Sequence, residues 1–298
     1  MDLVSVALGG ARIGEAGARW FGGSGGWGMR FDRFEGIGFH AVLSGSAWLV
    51  GAAGEPQSLN AGDIVLIPSG AEHGLSLQPR PLRELPLMKL EAQAPPPPLS
   101  AFDIECLCGA YRLGRGHLHP FLRNLPDLIV VSPDPAQYPE LSALITVLGQ
   151  DISESRAGTS LTRTALIDLI LVHALRAGPE PLFEIDDAGV AAALSAIHDS
   201  PQTLWTVDQL SARAGLSRTA FGRRFVAQTG TSPMAYLTTQ RLTRAAQLLC
   251  DTDTLLAGIA GQVGYSSEFA FANAFRREFG VSPGRYRREH QRVLGLAL

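Results

Sequence analysis

The chain has 298 residues, 46% of them hydrophobic and 18% charged, enough to bury two domain cores. Its three cysteines, with no Cys-x-x-Cys spacing, exclude a disulfide framework and a zinc-finger pattern, and no apolar run approaches the length of about 18 residues that suggests a membrane span. The net charge of -3 conceals an asymmetry: from Asp187 onward there are 12 Arg and no Lys against 8 Asp plus Glu, whereas the preceding residues carry 13 basic against 20 acidic groups. An acidic first part joined to a basic last part predicts two domains with different partners, and the small basic excess predicts moderate salt dependence for any polyanion bound. The N-terminus has no basic segment followed by an apolar run, so a cytoplasmic location without a membrane partner is expected.

From about residue 18 to residue 115 the sequence is rich in glycine turns and short alternating segments. Trp27–Phe34, Ile37–Leu43, Ser46–Val50, Asp63–Ile67, Gly74–Leu77 and Phe102–Leu113 are expected as strands of a small antiparallel β-barrel. The sharpest local signal is GDIVLIPSGAEH at residues 62–73, where Gly62 is followed by Pro68, Gly70 and His73. With FHAVLSGSAWL at residues 39–49, read as a strand entering a tight glycine turn, it resembles the paired motifs of the cupin barrel. The resemblance implies a strand and turn that deliver His73 to the barrel mouth. Metal-dependent cupin enzymes carry a His-x-His pair and a following Glu in the first motif, and this sequence has only His40 there.

Strand alternation puts His40 on one face with Gly38 and Val42, the inward face, so His40 and His73 are expected to share a cavity. Cys106 and Cys108 are two apart and point to one side of their strand. If that side is inward, His40, His73 and Cys108 make a soft site for zinc or another divalent metal, or a redox-sensitive thiol beside imidazoles. The plainer alternative is that the thiols are small core residues and the imidazoles are satisfied by backbone carbonyls. His117 and His119 are flanked by Gly114, Gly116 and Pro120 and are expected at the surface or at a hinge; Pro95–Pro98 reads as a stiff spacer.

Two helices are expected next, Tyr138–Ile152 and Leu161–Leu175, each with an apolar stripe. They either cap the barrel or pack against a second copy of the chain. Gly178, Pro179 and Pro181 then break the periodicity and mark a linker.

The last third contains an internal repeat. Residues 215–236 read GLSRTAFGRRFVAQTGTSPMAY and residues 264–286 read GYSSEFAFANAFRREFGVSPGRY. Each copy has a Ser N-cap (Ser217, Ser267), Phe at i and i+4 (Phe221 and Phe225, Phe271 and Phe275), a C-terminal Gly (Gly230, Gly280) and a Pro that opens the next helix (Pro233, Pro283). A short helix precedes each, Val207–Ala214 and Leu256–Val263, with a turn at Gly215 or Gly264, which makes two helix-turn-helix units. A connector from Pro233 to Cys250 is about 25 Å long at about 1.5 Å per residue, suited to hold two recognition helices roughly 34 Å apart, one DNA turn.

This arrangement resembles the DNA-binding domain of the AraC/XylS family of transcription regulators over roughly residues 187–290, and the cupin-like part resembles the sensor domain found in front of it. The resemblance implies double-stranded DNA as partner and Ser217, Arg218, Thr219, Gly222, Arg223, Arg224, Ser267, Glu268, Phe269, Asn273, Arg276 and Arg277 as DNA-binding residues. Arg223 suits guanine, Asn273 adenine, and Arg276, Arg277, Arg285, Arg287 and Arg288 suit phosphates. Phe269 either meets thymine methyls or folds back into the core. The expected fold class is α+β: an antiparallel cupin-like barrel with a helical pair (1–178, sensing and dimerisation), a linker (179–187) and an all-α domain of two helix-turn-helix units (188–298). The expected function is a sequence-specific transcription regulator, a homodimer responding to a small-molecule, metal or redox effector. The alternative is a metal-dependent cupin enzyme with a helical appendage.

Overall fold

The computed structural model of the chain describes residues 3–11, 15–88, 102–113, 118–154, 157–179 and 185–295. It divides into a barrel unit and a helical unit. The barrel unit holds eight strands: β1 (Glu15–Gly23), β2 (Gly28–Phe31), β3 (Gly36–Gly51), β4 (Gln57–Asn60), β5 (Ile64–Ile67), β6 (His73–Ser76), β7 (Ile104–Arg112) and β8 (Ile129–Val131). Five of them run in the order β1-β7-β3-β5-β8, and β6 pairs with both β2 and β3. All of these pairings are antiparallel.

β3 organises the unit. The sequence predicts two strands separated by a glycine turn, and the structure has one strand of 16 residues. Its register against β7 shifts between Val42 and Ser44, and Gly45 takes a φ of 75°. A bulge with glycine in the left-handed region bends a strand without ending it. The first half of β3 therefore pairs with β5 and β7 while the second half pairs with β4 and β6. The backbone packs closely there: a Cβ on Gly45 would stand 1.9 Å from the Asp103 carbonyl oxygen. β1 went unread in the sequence because EAGARWFGG has no β-branched residue, and β4 and β8 are too short to show alternation.

Phe21, Val42, Leu49, Leu59, Val65, Leu75 and Cys106 fill the interior between the sheet halves. The opposite face of the sheet is covered by α4 (Thr159–Ala177), which packs against β1 and β5 and pairs with α3 (Pro139–Ser153). Gly109 leaves room for Phe39 and Ile167, and the Tyr111 hydroxyl donates to Asp168 Oδ1 at 2.7 Å. The helical pair thus caps the barrel with Ile167, Ile170, Leu171 and Ala174 buried, whereas Leu161 and Leu169, expected on the apolar stripe, are exposed.

The helical unit contains α5 (Ala188–Asp199), α6 (Val207–Arg213), α7 (Arg218–Thr229), α8 (Pro233–Asp251), α9 (Leu256–Gln262), α10 (Glu268–Phe279) and α11 (Pro283–Gly295). Two short helices from earlier in the chain cluster with it, α1 (Leu3–Ala11) and α2 (Pro120–Asn124). The position of His119 corrects the sequence expectation of a surface or hinge residue: it is 2% exposed, and Tyr236 of α8 and Gln240 lie on its Nε2 at 3.2 and 2.5 Å. A buried imidazole with polar partners satisfies its hydrogen bonds internally, which a local reading of GHLHP cannot reveal. His117, Pro95–Pro98 and most of the linker lie outside the described residues.

Candidate functional site

The second helices of the two helix-turn-helix units share their local construction. Ser217 Oγ accepts from the Ala220 N–H at 3.3 Å, and Ser267 Oγ from the Ala270 N–H at 3.2 Å. Gly230 and Gly280 end α7 and α10 at φ of 71° and 72°, where glycine avoids the Cβ strain of the left-handed region. The Phe221–Phe225 rings meet edge to face with centroids 5.4 Å apart at 63°, and Phe271–Phe275 do so at 5.6 Å and 65°. Tyr236 and Tyr286 follow, both buried. Burying the i, i+4 aromatic pair fixes which face of α7 and α10 turns outward.

On that outward face Arg218, Thr219, Arg223, Glu268, Phe269, Asn273, Arg276 and Arg277 are exposed. Phe269 is 77% exposed, which resolves the sequence alternative of a ring folded into the core. A Cβ on Gly222 would meet nothing within 4 Å, so the helix surface there is open. Several arginines have partners within the unit, among them Arg218, whose Nη1 stands 3.7 Å from Asp208 Oδ1. Arg224 Nη1 reaches Asp187 Oδ2 at 3.0 Å, Arg285 pairs with Glu289 at 2.6 Å, and Arg287 donates to the Leu249 and Thr254 carbonyls at 3.3 and 2.6 Å. Asp187 is itself the N-cap of α5; the Val190 N–H first, then the Arg224 guanidinium, hold its carboxyl below the usual range. Arg224 and Arg287 are thus held by partners within the domain, contacts their spacing in the sequence does not show.

The barrel encloses a cavity of about 520 Å³ lined by Arg19, Phe31, Phe34, His40, Cys108 and Arg112 among others. Register places its polar groups: Arg19 of β1 stands opposite Cys108 of β7, and Cys108 stands opposite His40 of β3. His40 and His73 share this cavity, as strand alternation led us to expect, and the Cys108 side of β7, left open by the sequence, faces it too. Cys106 sits deeper, 0% exposed in the core, as the plain reading of that thiol expects.

The three polar residues form a chain rather than a cage. His73 Nδ1 lies 2.7 Å from the Ala71 carbonyl oxygen, which only accepts, so Nδ1 carries the hydrogen and Nε2 accepts. His40 Nε2, 2.6 Å away, donates to it, and His40 Nδ1 accepts from the Cys108 thiol at 2.6 Å. Burial lowers His73 to about 4 and His40 well below its ordinary value, so both rings are neutral, as this tautomer assignment requires. Burial and then Cys106 push the Cys108 thiol up, with Arg19 and Arg112 pulling the other way. His40, His73 and Cys108, the residues of the expected zinc or divalent-metal site, lie together, with Cys108 and His73 on opposite nitrogens of the His40 imidazole. Among the described residues no group of three His, Cys, Asp or Glu is placed to hold a metal ion.

Residues 2–178 match the model of a family described as Cupin, and residues 210–289 match one described as a helix-turn-helix domain. The HTH-type transcriptional regulator MtrA of Neisseria gonorrhoeae is 30% identical over 88% of this chain and 90% of its own length, and a putative AraC-like transcription regulator of Streptomyces lividans is 30% identical over the same shares. The chain belongs to the AraC-type transcription regulators with an N-terminal cupin domain. A solved structure of the AdpA DNA-binding domain with target DNA matches at 35% identity, covering 35% of this chain and 93% of that one with a TM-score of 0.34.

The partner of this AraC-type regulator's helical domain is DNA, and its relatives are transcription regulators rather than enzymes, so the cupin-enzyme alternative is set aside. Sequence reasoning missed two groups in the regulator. Arg241 of α8 donates to the Pro201 and Thr203 carbonyls at 2.7 and 2.8 Å and stands 6.0 Å from the Tyr265 ring, tying the connector to the loops beside both helix-turn-helix units. Tyr236 joins His119 to His198, whose Nε2 is 2.7 Å from the hydroxyl. Both groups depend on residues more than 20 positions apart, and only the repeated Tyr in each copy signalled a buried role. Among the described residues no helix is long and apolar enough to cross a membrane.

Proposed function

We propose that the chain is a cytoplasmic, homodimeric, effector-responsive regulator that reads two short DNA elements with α7 and α10. The observation that carries this is the duplicated, equally capped pair of helices whose exposed faces bear Arg223 and Asn273. Arg223 pairs with the O6 and N7 of a guanine and Asn273 with the N6 and N7 of an adenine, while Phe269 meets thymine methyls. Arg218, Thr219, Arg276 and Arg277 contact phosphate and sugar, and the open surface at Gly222 lets the α7 backbone approach the groove. Glu268 faces the DNA near the α10 N-terminus and selects for cytosine N4. Ser217 and Ser267 act through their caps, which set the angle at which each helix enters. The connector α8 spans 19 residues, about 28 Å, an appropriate order for two successive major grooves.

The barrel supplies the response. A ligand in its cavity shifts the population of DNA-binding states only by binding those states with different affinity. The exposed Leu161 and Leu169 of α4, with Val147 of α3, support self-association through this face. The test is selection of genomic DNA fragments by the purified chain, with its mass in solution measured in parallel. Recovery of sites holding two elements about one helical turn apart supports the reading. Recovery of no sequence above background, with and without cell extract as effector source, overturns it.

A further inference from the structure

Two cationic side chains stand on the wall of the barrel cavity without an anionic partner among the described side chains. Arg19 lies opposite Cys108 in the β1–β7 register, and Arg112 follows Cys108 by four residues on the same face of β7, about 13 Å along the strand. The Arg112 guanidinium is 4.5 Å from the Phe34 ring centroid, which orients it along the cavity wall. None of the ion pairs between described side chains includes Arg19 or Arg112. In the β1–β7 register position 15 pairs with Arg112, and Arg19 pairs with Cys108. The two charges act on one another: burial first, and then Arg19, lower the hold of Arg112 on its proton.

The rest of the lining is apolar or neutral. Phe31, Phe34, Ile67 and Met88 offer hydrocarbon surface, and the His40–His73–Cys108 chain is internally satisfied and uncharged. A cavity of about 520 Å³ falls within the range of about 300–1,000 Å³ typical of small-molecule sites. Charge recognition therefore falls on the arginines. Arg112 is exposed and Arg19 half-buried; two like charges on one cavity wall repel one another, and an anion between them reduces that cost and gains charge-assisted hydrogen bonds.

We propose that the cavity is a binding site for a small organic acid, its carboxylate held by Arg19 and Arg112 and its apolar body packed against Phe31, Phe34, Ile67 and Met88. This rests on the barrel being the sensing domain, as set out under the proposed function. It assigns the effector class to an amphipathic carboxylate, and it gives the arginines rather than the imidazoles and thiol the recognition role.

Isothermal titration of the full chain with octanoate, phenylpropionate and naphthoate, each against its primary amide, tests the proposal. At least one acid is expected to bind about tenfold or more tightly than its amide, the scale of one charge-assisted contact. Arg19→Gln and Arg112→Gln are each expected to remove most of that preference at unchanged melting temperature, and Arg19→Lys to retain part of it. Equal binding of acid and amide, no saturable binding of any acid, or full acid binding by the Arg19→Gln/Arg112→Gln double variant overturns the proposal. Genomic DNA selection on the same preparations separates the two readings. Selective DNA recovery without acid binding leaves the regulator standing and removes this ligand class, whereas acid binding without any DNA selectivity removes the regulator and leaves the site.

Discussion

The buried histidine cluster of the helical unit makes stability in mild acid the most sensitive property of that unit. Burial lowers His119 to about 3, with His198 adding to the effect, and burial lowers His198 to about 4, from an ordinary value of 6.5. A histidine whose folded pKa is depressed binds its proton more readily in the unfolded chain. Its contribution to stability is therefore complete above about 6.5 and is lost as the pH falls towards the folded value. Between about pH 7 and about pH 5 the unfolded side chain takes up its proton while folded His119 does not, which amounts to about 2 kcal/mol at about 1.4 kcal/mol per pH unit. His198 contributes a similar amount over the same interval, so the unit loses about 4 kcal/mol, a large part of the stability of an ordinary domain. His119→Gln removes one of the two titrations. Native-state hydrogen exchange on peptides from α7 and α8 reports the opening free energy of this unit directly. The variant is expected to lose about 2 kcal/mol less than the parent between about pH 7 and about pH 5, whatever its stability at neutral pH. Parallel pH curves for parent and variant would refute the argument, because they would mean that folded His119 titrates as freely as the unfolded chain.

Four further outcomes follow from the geometry. Phe275 is fully buried against Phe271, Phe279 and Tyr286 at ring distances of 5.6, 4.4 and 5.2 Å, so Phe275→Ala is expected to cost about 3–5 kcal/mol in urea unfolding. Gly45→Ala combines a φ of 75° with a Cβ 1.9 Å from the Asp103 carbonyl oxygen; it is expected to destabilise the barrel by more than about 1 kcal/mol, and an unchanged melting temperature would contradict the bulge. In DNA binding followed by fluorescence anisotropy, Arg223→Ala and Asn273→Ala are expected to cost about 1–3 kcal/mol on the selected site and to relax preference at one base position each. Arg276→Ala is expected instead to weaken all sequences alike and to flatten the salt dependence, and a base-specific effect would move that residue from phosphate to base contact.

The helix-turn-helix pair was legible because its information is local. Capping serines, i, i+4 phenylalanines, a C-terminal glycine and a following proline each act within one or two helical turns, so their spacing fixes helix ends and faces before any tertiary packing is known. Duplication then separated the pattern from a chance α-hairpin. The inward face of His40 was legible for the same reason, since alternation along a strand is a local property.

What the sequence could not supply depends on partners far along the chain. Whether Gly45 ends a strand or bends it is decided by close packing on Asp103, 58 positions away. His40, His73 and Cys108 were correctly gathered into one cavity, but their order as a hydrogen-bonded chain follows from cross-strand register, which sets distances in the third dimension. Arg19 escaped notice because β1 has no recognisable strand pattern, and it acquires meaning only opposite Cys108. His119 looked like a loop residue until the hydroxyl of Tyr236, 117 positions later, closed over it. Local periodicity determined the helices, their caps and the faces they expose; long-range packing decided the barrel's path and its cavity, because loop closure brings together groups whose chemistry is invisible while they are apart.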